Sequence, residues 1–286
     1  MTGAPAFQIS GLKDIAIAVA PNGGRKTRAD HPNVPLTPAD LAGTAMDCLS
    51  EGAAMIHVHV RKPDGTHLLD ADAYRDVIHA IRAEVGSRIL VQITSEALGI
   101  YSPQEQIDVV RAVRPEAVSL AYRELVRSDA DLPAFLDLLG WMKREQVLPQ
   151  IILYAPEDAR QLEALRQRGD LPFADIPVLY VLGRYTTSQT SEPADLLPFL
   201  ADGEPRFAHW SVCAFGRHET ACLTMAGLLG GHARTGFENN THLPNGRIAS
   251  SNAELVEAVA SSLRGNGISL MDAEGLRASI CAVLQG

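Results

Sequence analysis

The chain has 286 residues, 46% of them hydrophobic and 21% charged, with a formal net charge of −9. That composition is typical of a folded protein and excludes a disordered one, and the acidic balance with no dense Lys/Arg run excludes a nucleic-acid surface. No stretch has the apolar length of a membrane span, and residues 1–13 lack the charged start and apolar core of a signal peptide, so a cytoplasmic protein is expected.

A strand-then-helix alternation runs through the whole chain. The first apolar run, residues 15–20, precedes Thr37-Pro38-Ala39-Asp40, which supplies a cap and an N1 proline for a helix. A second run at 54–60 and a third at 88–94 follow, and Ser102-Pro103-Gln104-Glu105 is a capping box with proline at N1. Further runs lie at 117–120, 148–154, 177–182 and 208–213, and a short, weakly apolar one at 232–236. Ser251-Asn252 opens a helix over about 253–263, and Met271-Asp272 opens a last one near the C-terminus. Strands each followed by a helix over this length predict a single α/β domain, a (β/α)8 TIM barrel across residues 1–286 with a C-terminal helix. A doubly wound sheet is the alternative, but no GxGxxG follows the first strand, and Asn22-Gly23-Gly24-Arg25 does not make a phosphate cradle. Cys48, Cys213, Cys222 and Cys281 form no CxxC pair and read as reduced thiols.

The second run is interrupted by His57-Val58-His59. Side chains alternate along a strand, so both imidazoles face one way, where a buried parallel strand ordinarily carries aliphatic residues. A divalent metal accounts for the pair, imidazole being a common ligand for Zn, Fe and Ni; two separately hydrogen-bonded histidines near a strand end are the other reading. In a barrel the chemistry sits at the C-terminal ends of the strands, and strand eight closes against strand one. Strand eight leads into Gly236-Phe237-Glu238-Asn239-Asn240-Thr241-His242. Glu238 would complete a two-His, one-carboxylate set with positions left open; alternatively it is a solvated loop carboxylate, and His242 is a second candidate for the same place. An amidohydrolase pattern fits poorly, because strands one, five and six carry no histidine.

At these residues the chain resembles the β-keto acid cleavage enzymes, as a divergent member. The resemblance rests on Gly52-Ala53-Ala54-Met55-Ile56-His57-Val58-His59-Val60-Arg61, on Gly230-Gly231-His232-Ala233-Arg234-Thr235-Gly236-Phe237-Glu238-Asn239-Asn240, and on residues 27–37, 210–217 and 250–256, in collinear order. It implies a (β/α)8 barrel, Zn2+ held by His57, His59 and Glu238, and a homo-oligomer, a dimer or tetramer. It also implies a retro-Claisen-type transferase reaction. A 3-keto acid and acetyl-CoA give acetoacetate and a new acyl-CoA, with the metal acting as a Lewis acid toward the enolate formed at C2. By position, Arg234 matches the family's catalytic arginine, Thr94 a hydroxyl contact to substrate, and Ser119 a second hydroxyl ligand.

Three departures bear on the chemistry. Asn239 stands where the family pattern has an aspartate that helps the arginine act as base, and an amide cannot accept a proton. Glu96, His218 and Glu219 are the nearby groups that could. Arg25 stands where a carboxylate recognises an amino substrate, and a guanidinium there favours an anionic or neutral-polar tail, such as a second carboxylate. The glycine-rich segments after strands three and six are replaced by Ser95-Glu96-Ala97-Leu98-Gly99 and Gly183-Arg184-Tyr185-Thr186-Thr187-Ser188, which alters the pocket and places Arg184 where it could contact a phosphate. Two other functions remain open: a metal-dependent hydrolase or CoA-independent lyase on the same barrel, and a metabolite-binding barrel impaired in catalysis by Asn239.

Overall fold

Residues 12–285 are described by a computed structural model; residues 1–11, on which most of the signal-peptide reading falls, and residue 286 lie outside the described residues. Eight strands run parallel: β1 (Ile15–Val19), β2 (Ala53–Val58), β3 (Leu90–Thr94), β4 (Ala117–Ala121), β5 (Leu148–Leu153), β6 (Val178–Leu182), β7 (Trp210–Ala214) and β8 (His232–Thr235). Each pairs with the next, and β8 pairs with β1 through Ile17↔Ala233, so the sheet closes into a TIM barrel. Helices cover the outer face while side chains fill the inner one, which is why these strands read as apolar runs without alternation.

The helix starts form as their residue types dictate. The Thr37 hydroxyl accepts the Asp40 amide ahead of α1 (Pro38–Glu51), and Asp40 in turn accepts the Thr37 amide. Ser102 and Glu105 do the same ahead of the Pro103–Val113 helix, and Ser251 caps the Asn252–Gly265 helix. After β6 the expected α-helix is instead a 3-10 segment, Pro193–Phe199. Pro198 inside it has no amide to donate, and its ring clashes with the preceding turn, so a regular α-helix cannot continue. A two-residue hairpin (Val60–Arg61 with His67–Leu68) directly after β2 and a two-residue strand (Leu270–Met271) beside β1 complete the sheet structure. No described helix is long and apolar enough to cross a membrane.

The large core lies between the strands and the helices. The barrel interior mixes two kinds of side chain. Ile152, Leu179, Val181, Cys213 and Phe215 pack together as an apolar cluster. Among and beside them His57, Gln92, Thr94, Gln150, Ser211 and Arg234 are all buried. Polar side chains at that depth need partners, and those partners organise the site.

Candidate metal centre at the barrel mouth

His57 lies on β2 and His59 immediately beyond it, both 1% exposed, while Val58 between them faces the helices. The Nδ1–H of His57 donates to Gln92 Oε1 at 2.8 Å, which leaves Nε2 as a lone pair. That nitrogen is 3.3 Å from His59 Nε2. Glu238 Oε2 is 3.7 Å from the first and 3.5 Å from the second. Burial, with Arg234 adding to it, pushes the His57 imidazole down to about 3, so the ring is neutral. Burial alone would raise Glu238, but Arg234 and then the two histidines hold it well below the usual carboxylate range. The result is two imidazoles and a carboxylate whose ligand atoms all lie within 4.8 Å of one another.

This donor set fits a divalent cation. Glu238 Oε2 is buried with no hydrogen-bond partner among the described residues. Ligands of a tetrahedral ion with bonds of about 2.0–2.1 Å stand roughly 3.3 Å apart, as the two ring nitrogens do. Buried nitrogen lone pairs this close repel unless a cation or a shared proton lies between them.

The loop after β1 holds the ligands in place. The Asn22 amide accepts the His59 amide at 3.3 Å and donates to the His59 carbonyl at 2.9 Å. Arg61 donates to the carbonyls of Asn22, Gly23, Lys26 and Gly65, closing the loop into a turn. Gly23, at φ +59°, faces Glu238, and a β-carbon there would lie 2.6 Å from Glu238 Cγ. Gly236, at φ +136°, lets the chain leaving β8 pass the Ala20 carbonyl, and the Glu238 amide then donates to that carbonyl at 3.1 Å.

A cavity of about 260 Å3 opens over these ligands. Of the residues singled out from the sequence, Arg25, Thr94, Glu96, Arg184, Arg234, Asn239 and His242 line it with the three ligands. His242 is outside the ligand cluster. Ser119, His218 and Glu219 do not line the cavity. Ser119 is 1% exposed and gives its hydroxyl proton to Thr94 Oγ1 at 3.4 Å. His218 lies 2.9 Å from Glu192. Glu219 is fully buried and accepts from Thr235 and Asn240; burial pushes its carboxyl up to about 8, so it is mostly protonated at neutral pH.

Arg234 donates to Glu238 Oε1 at 3.1 Å and to Cys213 Sγ at 3.4 Å, while its Nε and Nη1 have no partner among the described residues. Burial would lower the guanidinium, but Cys213 and Glu238 beside it raise it, so it remains a cation. Thr94 Oγ1 accepts from the Glu96 amide at 3.0 Å and from Ser119, which leaves its own proton free. Glu96 lies 3.8 Å from His59 Nδ1 and 3.6 Å from Arg184. Neither polar atom of the buried Asn239 amide has a partner among the described residues. Lys26 and Tyr154 also line the cavity and were not singled out from the sequence, and Asn22 lines it though it was weighed there only as part of a phosphate cradle. Lys26 lay hidden in a basic loop run; burial lowers its amine, with Glu219 and Glu238 acting the other way.

A two-His, one-carboxylate set beside a buried arginine thus stands at the open mouth, the end of a barrel where catalytic groups sit, with the donors that a divalent cation takes. The profile of the beta-keto acid cleavage enzymes matches residues 14–280, and the chain belongs to that family. It is similar to the 3-keto-5-aminohexanoate cleavage enzyme of Fusobacterium nucleatum, 29% identical over an alignment of 258 residues that covers 87% of this chain and 90% of that protein. It is also similar to the 3-oxoadipate:acetyl-CoA acetyltransferase of Cupriavidus necator, 28% identical over 253 residues, 85% of this chain and 86% of that one. Among solved structures, the complex of ObcA with oxaloacetate superposes with a TM-score of 0.68 at 17% identity, over 87% of this chain and 67% of the other, a likeness of fold.

Proposed function

We propose that this protein, as a single barrel domain, is a zinc-dependent acyltransferase that exchanges acyl groups between a 3-keto acid and acetyl-CoA, giving acetoacetate and a new acyl-CoA. The observation that carries the reading is the His57, His59 and Glu238 cluster standing beside Arg234, whose Nε and Nη1 are buried and unpaired. Zinc bound by those three residues supplies Lewis-acid stabilisation of negative charge on a keto oxygen.

The chain's own residues do the rest. Arg234 donates from Nε and Nη1 to the oxygens on which charge collects when C2 loses its proton, and it does so without reorganising. Thr94 gives its free hydroxyl proton to a substrate oxygen, and Ser119 acts behind it by fixing that hydroxyl's direction. Asn239 cannot take the C2 proton, but its unpaired amide offers one donor and one acceptor to the substrate. Of the three candidate proton acceptors, Glu96 lines the cavity and His218 and Glu219 do not. Glu96 therefore takes the C2 proton on its carboxylate. Arg25, exposed at the rim, selects substrates with an anionic tail, and Arg184 meets the phosphates of CoA. The reading carries with it a cytoplasmic setting and a homo-oligomer, which light scattering measures directly.

The test is to supply zinc-loaded protein with acetyl-CoA and a panel of 3-keto acids, dicarboxylic ones included, and to assay acetoacetate. Release of acetoacetate from none of them at any pH between 6 and 9 refutes the reading. The Asn239 amide favours one second reading, a hydrolase or lyase that works without acetyl-CoA; product formed equally well in its absence would establish it.

A further inference from the structure

A file of hydrogen bonds crosses the barrel beneath the metal centre. His57 Nδ1–H donates to Gln92 Oε1 at 2.8 Å, Gln92 Nε2 donates to Gln150 Oε1 at 3.1 Å, and Gln150 Nε2 donates to Ser211 Oγ at 3.3 Å. The four residues come from β2, β3, β5 and β7, and none is more than 5% exposed. A primary amide has a direction, an oxygen at one end and an NH2 at the other. Here both amides point the same way, every donor aimed away from the ligand cluster. Turning Gln92 over would set its NH2 against His57 Nδ1. The ring proton would then have to move to Nε2, the atom that faces His59 and Glu238.

What keeps Gln92 from turning is its far end. Gln150 presents Oε1 to it while the Gln150 NH2 lies on Ser211 Oγ, so Gln92 cannot turn alone: its NH2 would leave Oε1 facing Oε1 unless Gln150 and the Ser211 hydroxyl reversed with it. We propose that Gln92, Gln150 and Ser211 form a positioning array that holds His57 in its Nδ1–H tautomer, so that a residue on the opposite wall, Gln150, sets the availability of a metal ligand it does not touch. The consequence for metal affinity rests on the metal-site reading above; the consequence for the tautomer does not. Partners one step behind a metal-bound histidine typically change affinity by about 10–100-fold, and the array extends that influence by a further residue.

The experiment records long-range 1H–15N correlations of the histidine rings in metal-free protein, with His57 assigned through His57→Gln. It is paired with zinc affinity measured by competition with a chromophoric chelator. The parent should show His57 protonated at Nδ1. Gln150→Met should give a mixture of tautomers and a fall in affinity of about tenfold. Adding Gln92→Glu to Gln150→Met should restore both, because a carboxylate has no NH2 end and holds the Nδ1 proton without help. A parent with His57 protonated at Nε2 overturns the proposal whether or not the Gln150 and Gln92 variants fold. So does a Gln150→Met protein with the parent's tautomer and affinity, or a double variant that regains neither. A tautomer that shifts as described in a protein that binds no zinc upholds the array and overturns the metal-site reading instead.

Discussion

Replacing Gly23 by alanine should loosen the metal centre without altering any ligand. The added methyl would lie 2.6 Å from Glu238 Cγ and 3.2 Å from its Cδ. Carbon atoms in contact prefer about 3.5–4.0 Å, so the carboxylate must retreat by roughly 1 Å. Ligand atoms tolerate only about 0.2 Å of displacement before an ion is held poorly. Glu238 cannot yield freely, because Arg234 grips its Oε1 and its own amide is bound to Ala20. The backbone adds its own cost, since φ is +59° and a side chain in that region costs about 1–2 kcal/mol. Two measurements separate the effects. Urea unfolding of the metal-free protein should report the backbone and steric costs together, and chelator competition should report a further loss of at least tenfold in zinc affinity. An alanine variant that binds zinc as the parent does would show that Glu238 is not held where the turn places it, and the ligand assignment would fall with it.

Other outcomes follow from the remaining contacts. Arg234→Lys keeps the charge but loses the planar fork, and kcat should drop by about 10²–10³-fold with zinc content unchanged; a drop under fivefold would remove Arg234 from the chemistry. Arg25→Glu should reverse the ranking of kcat/KM between 3-keto acids with anionic and with amino tails, and unchanged ranking would make Arg25 a bystander. Arg61→Met strips four loop carbonyls of their donor and should cost on the order of 3 kcal/mol in urea unfolding. Glu219 has a folded-state value near 8 against 4.5 in the open chain, so the neutral acid is the form that folding favours. Its contribution is complete below about pH 4.5 and is lost as pH rises through 8, at up to about 1.4 kcal/mol per pH unit. Glu219→Gln keeps an acceptor for Thr235 and Asn240, and unfolding curves from pH 5 to 9 should show that slope flattened; an identical slope in both proteins would refute the assignment.

The barrel strands were legible because a strand buried on both faces leaves a continuous apolar run, and three helix starts because Thr37, Ser102 and Ser251 announce their own caps. His57 and His59 were legible for a related reason, since polar residues in such a run are anomalies. Gln92 and Gln150 are anomalies of the same kind in the third and fifth runs, and the same argument applied to amides would have found the array. Other features had no signal at that level. The hairpin at Val60–Arg61 is too short to have a period. Ser119 and Thr94 are register partners on neighbouring strands, and which of two hydroxyls reaches the cavity is settled by depth, not by pattern. Lys26 looks solvated until Arg61 folds the loop and turns it inward. The helix after β6 was readable and misread, for Pro193 and Pro198 stand in the sequence.

The ligands also carry information about the order of assembly. His57 and His59 flank β1 on one side and Glu238 on the other, so the cluster straddles the seam where Ile17 meets Ala233. During synthesis the histidines emerge early and wait for a carboxylate nearly 180 residues downstream. The half-site has two imidazoles and no third ligand, so it cannot hold an ion firmly while the chain is incomplete. Only ring closure finishes it, and an ion bound there adds its binding free energy to the β8–β1 pairing that brings Glu238 to the histidines. On the zinc-site reading, metal loading would thus double as a latch on the closed barrel.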